Sequence, residues 1–463
     1  MRIKMKNNTF LSLVPFGIFV VAAIGLSLVE AVDINLLIGV GIIAIIIGAI
    51  LAEDKDEYWN VIFEFFGSKT ATTATLLWLM VGVYGCILKE GHIVEGLVWA
   101  AGKINMGSTA FTVVVFLFSG LFAISTGSGF GTISAMSLTL FPAGIALGAH
   151  PALLGGAILS GASLGDSIAP VSDTAVIAAS TQEYEDAGKV ADVGGTVKDR
   201  LPFVLVAVFI TILAFIIVGS IADNTTTATD INTKDTYPQG LALLIPTFVV
   251  ILLSLRHVNI FISIFAGIIL AVVIGYILDL FTLDDIVSIN NDGISGSVAD
   301  GISGMASICI LLMVVVSLSG VIIRSGCMER IIEWMNVKFI HSAQSAELAI
   351  FTLVSLAGIL IAAVNTIANI CIAPFVNSIG RQHHLHPYRR ATLLATIICT
   401  FPFILPYGGC VLLLRKGIEA SACGVNIQAT DVFLTAFYPW VLFVVMFIMI
   451  KKQNYERINK TDI

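Results

Sequence analysis

Apolar residues fall in long continuous runs separated by short polar stretches, without the two-residue alternation of half-buried strands. The runs occupy Phe10 to about Val29, and then about 35–52, 72–88, 108–124, 151–181, 201–222, 237–254, 259–278, 302–323, 348–364, 391–414 and 430–450. Each is near the ~20 residues that carry an α-helix across a ~30 Å hydrocarbon core, which predicts an all-α polytopic membrane protein with about 11–12 transmembrane helices. A β-barrel is excluded, because its strands would alternate. Arg2, Lys4 and Lys6 precede the first run, and no small-x-small cleavage pattern follows it. That run is therefore read as a retained helix with its basic end in the cytoplasm. Both termini are expected on the cytoplasmic side of the cell's inner (plasma) membrane.

Two stretches do not read as simple crossings. Ile104 to Gly165 contains no Asp, Glu, Lys or Arg. As one helix it would be ~93 Å long, about three bilayer cores. Its middle, Ser125-Thr126-Gly127-Ser128-Gly129-Phe130-Gly131-Thr132, is poor helix material. Irregular backbone survives at membrane depth only where protein buries it or water lines it. A re-entrant hairpin near 125–148, with its tip near Gly127, is the economical layout. The second stretch, Leu348 to Gly380, is also charge-free and holds Asn365-Thr366-Ile367-Ala368-Asn369 and Pro374. It predicts a hairpin near 365–385.

The two stretches behave as repeats. His150-Pro151 and His386-Pro387 lie 236 residues apart, as do Pro170 and Pro406. Gly127-Ser128 and Asn365-Thr366 align at 238, and Gly85 and Gly320, ahead of Lys89 and Arg324, at 235. The expected organisation is N-terminal helices over 1–70 and a first repeat over 71–222 with a broken helix at 151–181. A linker and connecting helix follow over 223–258. The second repeat covers 259–450 with a broken helix at 387–414, and a cytoplasmic tail covers 451–463. Paired interrupted segments in two halves point to a transporter's midplane site.

Composition agrees: 57% of the 463 residues are apolar and 12% charged, against about 25% charged in soluble domains. Mean hydropathy is +0.98. A net charge of −7 argues against a nucleic-acid partner. The seven cysteines are scattered, with no zinc-ligand or disulfide spacing. Gly-rich turns match no nucleotide fingerprint, so ATP drive and an organic cofactor are not expected. No nucleophile–base or intramembrane His pair suggests an enzyme. His383, His384 and His386 with Arg381, Arg389 and Arg390 could form a metal or phosphate patch, but a positive-inside loop is the simpler reading. Glu53, Asp54, Asp56 and Glu57 read as a solvated face.

The chemistry concentrates at Gly165-Asp166-Ser167-Ile168-Ala169-Pro170-Val171-Ser172-Asp173-Thr174. Asp166 sits mid-run, where an ionised carboxylate costs ~2.5–3.5 kcal/mol on insertion scales, so intramembrane acids are functional by default. Asp173 follows seven residues on, the same face after two helical turns. Pro170 frees the Asp166 carbonyl from its helix bond. Carboxylates, a carbonyl and the hydroxyls of Ser167, Ser172 and Thr174 suit a hard cation such as Na⁺. The same acids can bind H⁺, and competition for one acid is sufficient for exchange. At the repeat offset Asp166 falls on Pro402 and Asp173 on Gly409, so the second half keeps the break and loses both acids. Thr126 and Ser128 from one tip, and Asn365, Thr366 and Asn369 from the other, are expected to complete the oxygen shell. Capping of a helix break or hairpin tip is the alternative role for Asp166, Asp173, Asn365 and Asn369, and close helix packing is that of Thr126 and Ser128.

At Gly165–Thr174 the chain resembles the NhaC family of Na⁺/H⁺ antiporters, which shows Gly-Asp, Ser-Pro and Ser-Asp-Thr at this spacing; Ala169 replaces the Ser. Ser128-Gly129-Phe130-Gly131-Thr132 is similar to that family's Gly-Thr-Ser-Trp-Gly-Thr hairpin, with Phe130 for Trp. The resemblance implies inverted repeats, paired re-entrant hairpins and an elevator-like transport domain. A twelve-span count with both termini on one side would instead leave equivalent helices parallel. The family also includes exchangers of organic acids. The expected function is Na⁺/H⁺ antiport, and the alternative is a Na⁺- or H⁺-coupled carrier of a small organic acid or amino acid. A carrier of that kind needs a further cation or donor set, for which Arg324, Lys89 and the Asn365–Asn369 tip are candidates. A channel or membrane enzyme ranks lower. Partners are Na⁺, H⁺, the lipid bilayer and a second copy of the chain in a homodimer.

Overall fold

The computed structural model describes residues 3–6, 9–28, 34–170, 172–184, 189–223, 237–256, 258–290, 293–327, 330, 340–361 and 365–451. Val171, residues 224–236 of the expected 223–258 linker and connecting helix, and nearly all of the 451–463 tail lie outside the described residues. The first part comprises α1 (Leu13–Leu28), α2 (Ile34–Leu51), α3 (Lys55–Phe66), α4 (Lys69–Glu90), α5 (Ile93–Lys103) and α6 (Ser108–Thr126). Then come α7 (Gly129–Ala146), α8 (Pro151–Ile168), α9 (Asp173–Ser180) and α10 (Val193–Asp223). The remainder is α11 (Leu244–Leu255), α12 (Ile260–Ile277), α13 (Leu283–Ile286), α14 (Ser297–Ser325), α15 (Ala343–Leu360), α16 (Asn365–Gln382), α17 (Pro387–Ile398), α18 (Gly409–Ser421), α19 (Ala429–Thr435) and α20 (Phe437–Lys451). A two-stranded hairpin, β1 (Ser288–Asn290) and β2 (Gly293–Ser295), precedes α14.

Among the described residues, ten spans are long and apolar enough to cross a membrane, or eleven with the pair α19–α20, bent by 48°. The shortfall from twelve has identifiable causes. The apolar run at 391–414 is not one helix. Pro402 and Pro406 split it into α17, a 3-10 turn at Phe401–Phe403, and α18. Helices of twelve and thirteen residues reach only about 18–20 Å, short of a bilayer core. The run at 237–254 likewise begins as a 3-10 segment at Pro238–Leu243.

Burial separates lipid-facing helices from the core. Only 22% of the most apolar window of α10 is buried, and Phe209, Ile217 and Ile221 point outward. The corresponding window across α8 and α9 is 94% buried. So α8, which carries Asp166, is enclosed by protein on all sides.

Equivalent halves are visible in the caps and contacts. His150 precedes Pro151 at the start of α8, as His386 precedes Pro387 at the start of α17. Proline is well placed there, since the first helical N–H has no partner to lose. Two contacts join repeat mates directly. Ser163 Oγ donates to the Cys399 carbonyl at 2.7 Å, across 236 residues. The Cys309 thiol lies 3.7 Å from the Thr75 carbonyl, across 234. A residue can touch its own mate only near the axis relating the halves. Gly82 meets Gly301 and Met305 while Thr75 meets Cys309, so α4 and α14 run antiparallel. Antiparallel mates fit inverted repeats and correct the parallel relation given by the twelve-span count.

The basic segment after α16 forms a tie between the halves rather than a free patch. Arg390 is buried and donates to the Asn377 carbonyl (3.0 Å) and Oδ1 (2.8 Å), and to the Glu183 carbonyl. Arg381 pairs with Glu183 at 2.6 Å, and Arg389 with the buried Glu347 at 2.8 Å. The Tyr388 hydroxyl and the Gly195 N–H donate to Asp192 and hold its carboxyl below the usual range. That contact therefore contributes above the ordinary carboxylate range and is lost as pH falls. Replacing Arg390 with Ala removes the donor to two part-buried carbonyls. We expect it to cost about 2–4 kcal/mol, read as a lowered melting temperature of the detergent-solubilised protein.

Candidate functional site

Proline at 170 supplies no N–H to the helix ladder, and α8 ends two residues earlier at Ile168. The Ala169 N–H still reaches the Gly165 carbonyl at 2.7 Å, and α9 restarts at Asp173 behind Ser172. The two helix ends fold the polar side chains of the break back onto Asp166, which is only 8% exposed. Ser172 Oγ donates to Asp166 Oδ1 at 2.9 Å. Thr174 Oγ1 donates to the freed Asp166 carbonyl at 3.0 Å. That carbonyl is thus partnered by a hydroxyl rather than left open. The Ser172 and Thr174 hydroxyls lie 2.7 Å apart. Two hydroxyl protons cannot serve these three contacts at once, so the cluster has one acceptor in surplus.

The second half closes the site. Asn365, first residue of α16, donates through Nδ2 to Asp166 Oδ2 at 2.6 Å. Asn369, one turn on, donates to the Thr174 carbonyl at 2.9 Å. Both amides are buried, and neither Oδ1 has a hydrogen-bond partner among the described residues. One orphan amide oxygen therefore belongs to the amide that bonds the buried carboxylate, and the other lies one helical turn on.

The remaining expected residues divide. Asp173 is exposed at the start of α9. Its two-turn register with Asp166 does not hold because the helix is broken between them. Ser167 Oγ lies 2.8 Å from the Leu164 carbonyl and 2.8 Å from the Tyr438 hydroxyl, facing α20. Thr366 is half-buried beside Asn365. Thr126 bonds back to the Phe122 carbonyl at 2.9 Å, and Ser128 caps α7 by accepting from the Gly131 N–H at 3.1 Å. These two serve the turn at Gly127, whose φ of 65° suits glycine. The first tip nevertheless packs against α8, since Gly129 adjoins Ala162 and Phe403. Its arms, α6 and α7, have nineteen and eighteen residues and are each long enough to span. Among the described residues, no group of three His, Cys, Asp or Glu side chains could hold a metal, which includes the histidines after α16.

Sequence reasoning missed Arg200, Cys399 and Tyr438. Arg200 is fully buried in α10. In the sequence it reads as the flank of an apolar run, Lys198-Asp199-Arg200, with nothing to show that it turns inward. Arg324, expected as a possible solute-binding cation, instead pairs with the exposed Glu64.

Known proteins share this sequence pattern. The family model described as the Na⁺/H⁺ antiporter family matches residues 9–219 and 191–397. A malate-2H⁺/Na⁺-lactate antiporter of Bacillus subtilis (strain 168) is 25% identical over 244 residues, 52% of this chain and 51% of that protein. The Na⁺/H⁺ antiporter NhaC of Alkalihalophilus pseudofirmus is 27% identical over 278 residues, 57% of this chain and 56% of that protein. The chain spans about half the length of the curated relatives it matches. Among solved structures, the YdaH transporter of Alcanivorax borkumensis, described as having an unusual topology, aligns with a TM-score of 0.42 at 14% identity, over 86% of this chain and 88% of that one. The family match extends over most of the sequence and contains both the Asp166 break and the Asn365 helix start, and on that ground the chain belongs to the Na⁺/H⁺ antiporter family.

Proposed function

We propose that the protein is a secondary antiporter of the plasma membrane that exchanges Na⁺ for H⁺ at Asp166. The observation that carries this reading is the pair of unpartnered buried amide oxygens, Asn365 Oδ1 and Asn369 Oδ1, on the helix start whose first amide bonds the Asp166 carboxylate and whose second bonds the Thr174 carbonyl. One acid with neutral amide, hydroxyl and carbonyl oxygens is a hard, low-charge donor set. It suits a monovalent cation better than a zinc- or copper-type ion, which takes imidazole or thiolate. Family membership and the two curated antiporter relatives support the same class of activity.

The exchange follows from electrostatics. A bare carboxylate enclosed by α8, α9 and α16 is poorly solvated, so moving it across the membrane empty is costly. Bound Na⁺ or bound H⁺ neutralises it. Each favours relocation, and they exclude one another. In this reading the broken helices α8–α9 and α17–α18 move together as an elevator-like unit, with both termini cytoplasmic.

Proteoliposomes loaded with a pH-sensitive dye test the site. Asn369→Ala removes one amide oxygen and leaves Asp166 in place. The concentration of Na⁺ giving half-maximal proton release should rise about tenfold, equivalent to about 1.4 kcal/mol. An unchanged half-saturation in a correctly inserted variant removes Asn369 from the cation shell.

A further inference from the structure

Along α16, positions 365, 369, 373 and 377 are Asn, Asn, Ala and Asn. Residues four apart share one helix face and stand about 6 Å apart along the axis. That face meets α9 and the segment after it rung by rung. Asn365 reaches Asp166, and Asn369 reaches the Thr174 carbonyl. The Ala373 carbonyl then accepts from Gln182 Nε2 at 3.3 Å, and Asn377 Oδ1 accepts from the Glu183 N–H at 3.0 Å. A polar seam therefore leads from the Asp166 carboxylate toward the face where Arg381 pairs with Glu183.

The amides of this seam are used in two ways. Asn377 spends its oxygen on two donors, the Glu183 N–H and Arg390 Nη1, and so ties the chain together. Gln182, Asn365 and Asn369 are buried, and the side-chain oxygen of each has no hydrogen-bond partner among the described residues. A buried acceptor left unmet costs about 1–3 kcal/mol, and here three follow one another on one seam. Gln182 is the outermost, eight residues past Thr174, or about 12 Å at helical rise. Its Nε2 donates to the Ala373 carbonyl at 3.3 Å and to Thr181 Oγ1 at 3.1 Å. Amide nitrogen and oxygen are nearly alike in size, so a half-turn of the Gln182 amide exchanges them. Gln182 Oε1 then stands beside the Thr181 and Ala373 oxygens with no proton between them, an arrangement that is repulsive unless a cation lies among them. Beyond this point Arg390 closes the seam by bonding Asn377 and the Glu183 carbonyl.

We infer that Gln182 forms a second cation station, which a dehydrated monovalent cation occupies on its way between Asp166 and the Arg381–Glu183 face. Its shell is Gln182 Oε1, Thr181 Oγ1 and the Ala373 carbonyl, all hard oxygens. It contains no carboxylate, so it holds a cation more weakly than Asp166 does. A stop on a route needs that balance: enough oxygen to replace part of the hydration shell, and too little to retain the ion. The orphan oxygens of Asn365 and Asn369 are the inner rungs, at steps of about 6 Å. The Arg390 tie lies outside the station, so in this conformation the cation reaches Gln182 from Asp166. The inference rests on the reading of Asp166 as the first cation site.

Sodium NMR relaxation of the purified full-length protein in detergent tests the station, because it registers weak sites as well as tight ones. In Asp166→Asn, Na⁺ should still give a saturable enhancement, with half-saturation at least about tenfold weaker than in the wild type. Adding Gln182→Leu should abolish that enhancement. Gln182→Leu alone should keep the tight wild-type half-saturation within about twofold, and should slow Na⁺-driven proton release in proteoliposomes at saturating Na⁺ by at least about tenfold. Melting curves report whether each variant folds. If Gln182→Leu does not, Gln182→Glu decides: it keeps an oxygen, adds a charge, and should tighten the second site at least about tenfold on the Asp166→Asn background. Overturning results are an Asp166→Asn protein with no saturable enhancement, an enhancement that survives in the double variant, or one that Gln182→Glu leaves unchanged. Binding in Asp166→Asn as tight as in the wild type counts against Asp166 as the first site, while the Gln182 variants still decide the station.

Discussion

Replacing Asp166 with Asn is expected to abolish Na⁺-driven proton movement in proteoliposomes while leaving a folded, inserted protein. The side chains are isosteric, and the local hydrogen bonds can be kept. An amide at 166 would present one N–H₂ toward a neighbour that now meets a carboxylate oxygen. Asn365 can answer it by rotating its own amide, because its Oδ1 is unpartnered. Ser172 can still donate to the remaining oxygen. What disappears is the charge and the titration, both of which the exchange requires. Activity should fall by at least about a hundredfold, in the range of losing a group on which the step depends. The competition adds a signature in the wild type. Below the pH at which Asp166 gives up its proton, the Na⁺ half-saturation should rise about tenfold per pH unit, since protons exclude the cation from the same oxygens. Wild-type exchange in Asp166→Asn, or a Na⁺ half-saturation flat with pH, would falsify the single-carboxylate mechanism.

Much of the site was legible because its signals are local. Asp166 stands out as an acid inside a long apolar run, and Pro170 announces the break beside it. Asn365 emerges from the repeat offset, and the structure brings it within 2.6 Å of Asp166. The paired His-Pro helix starts came from the same offset. What failed depended on which way a side chain turns. Asp173 was placed beside Asp166 by counting helical turns across a break that interrupts the count. Thr126 and Ser128 have the right chemistry but spend it on their own helix ends. Arg200 was missed because burial of an arginine is a tertiary fact: the residue borders an apolar run in sequence, and only packing of α10 along α17 turns it inward. Ten to eleven spans meet the lower end of the expected eleven to twelve, and the run that holds Pro402 and Pro406 divides into α17 and α18, each too short to cross alone.

The largest structural effect is expected at Gly165. Helices α6 and α8 approach so closely that a Cβ on Gly165 would stand 2.1 Å from the Ala123 Cβ and 2.5 Å from its carbonyl carbon. One turn earlier, a Cβ on Gly161 would meet the Phe116 carbonyl oxygen at 2.5 Å. Small residues four apart let helix backbones touch, and within a bilayer that packing is a main source of association, because lipid tails are as apolar as the helix surface. The obstructing atoms are largely backbone, so no rotamer change relieves the clash and α6 must move as a body. That displacement also acts on Asp166, the next residue along α8, and hence on its bond to Asn365. Gly165→Ala should destabilise the protein by about 2–3 kcal/mol, and Gly165→Leu should leave no folded monomer. The contrast is with Gly39 of α2, where a Cβ meets nothing within 4 Å. There Ala should be neutral or stabilising by up to about 1 kcal/mol, because it is the better helix former. Thermal melts monitored by size-exclusion chromatography, with Na⁺-driven proton release measured on the same preparations, distinguish the two positions. Equal melting temperatures for Gly165→Ala and Gly39→Ala, with exchange retained in both, would show that the α6–α8 contact does not set the geometry of Asp166.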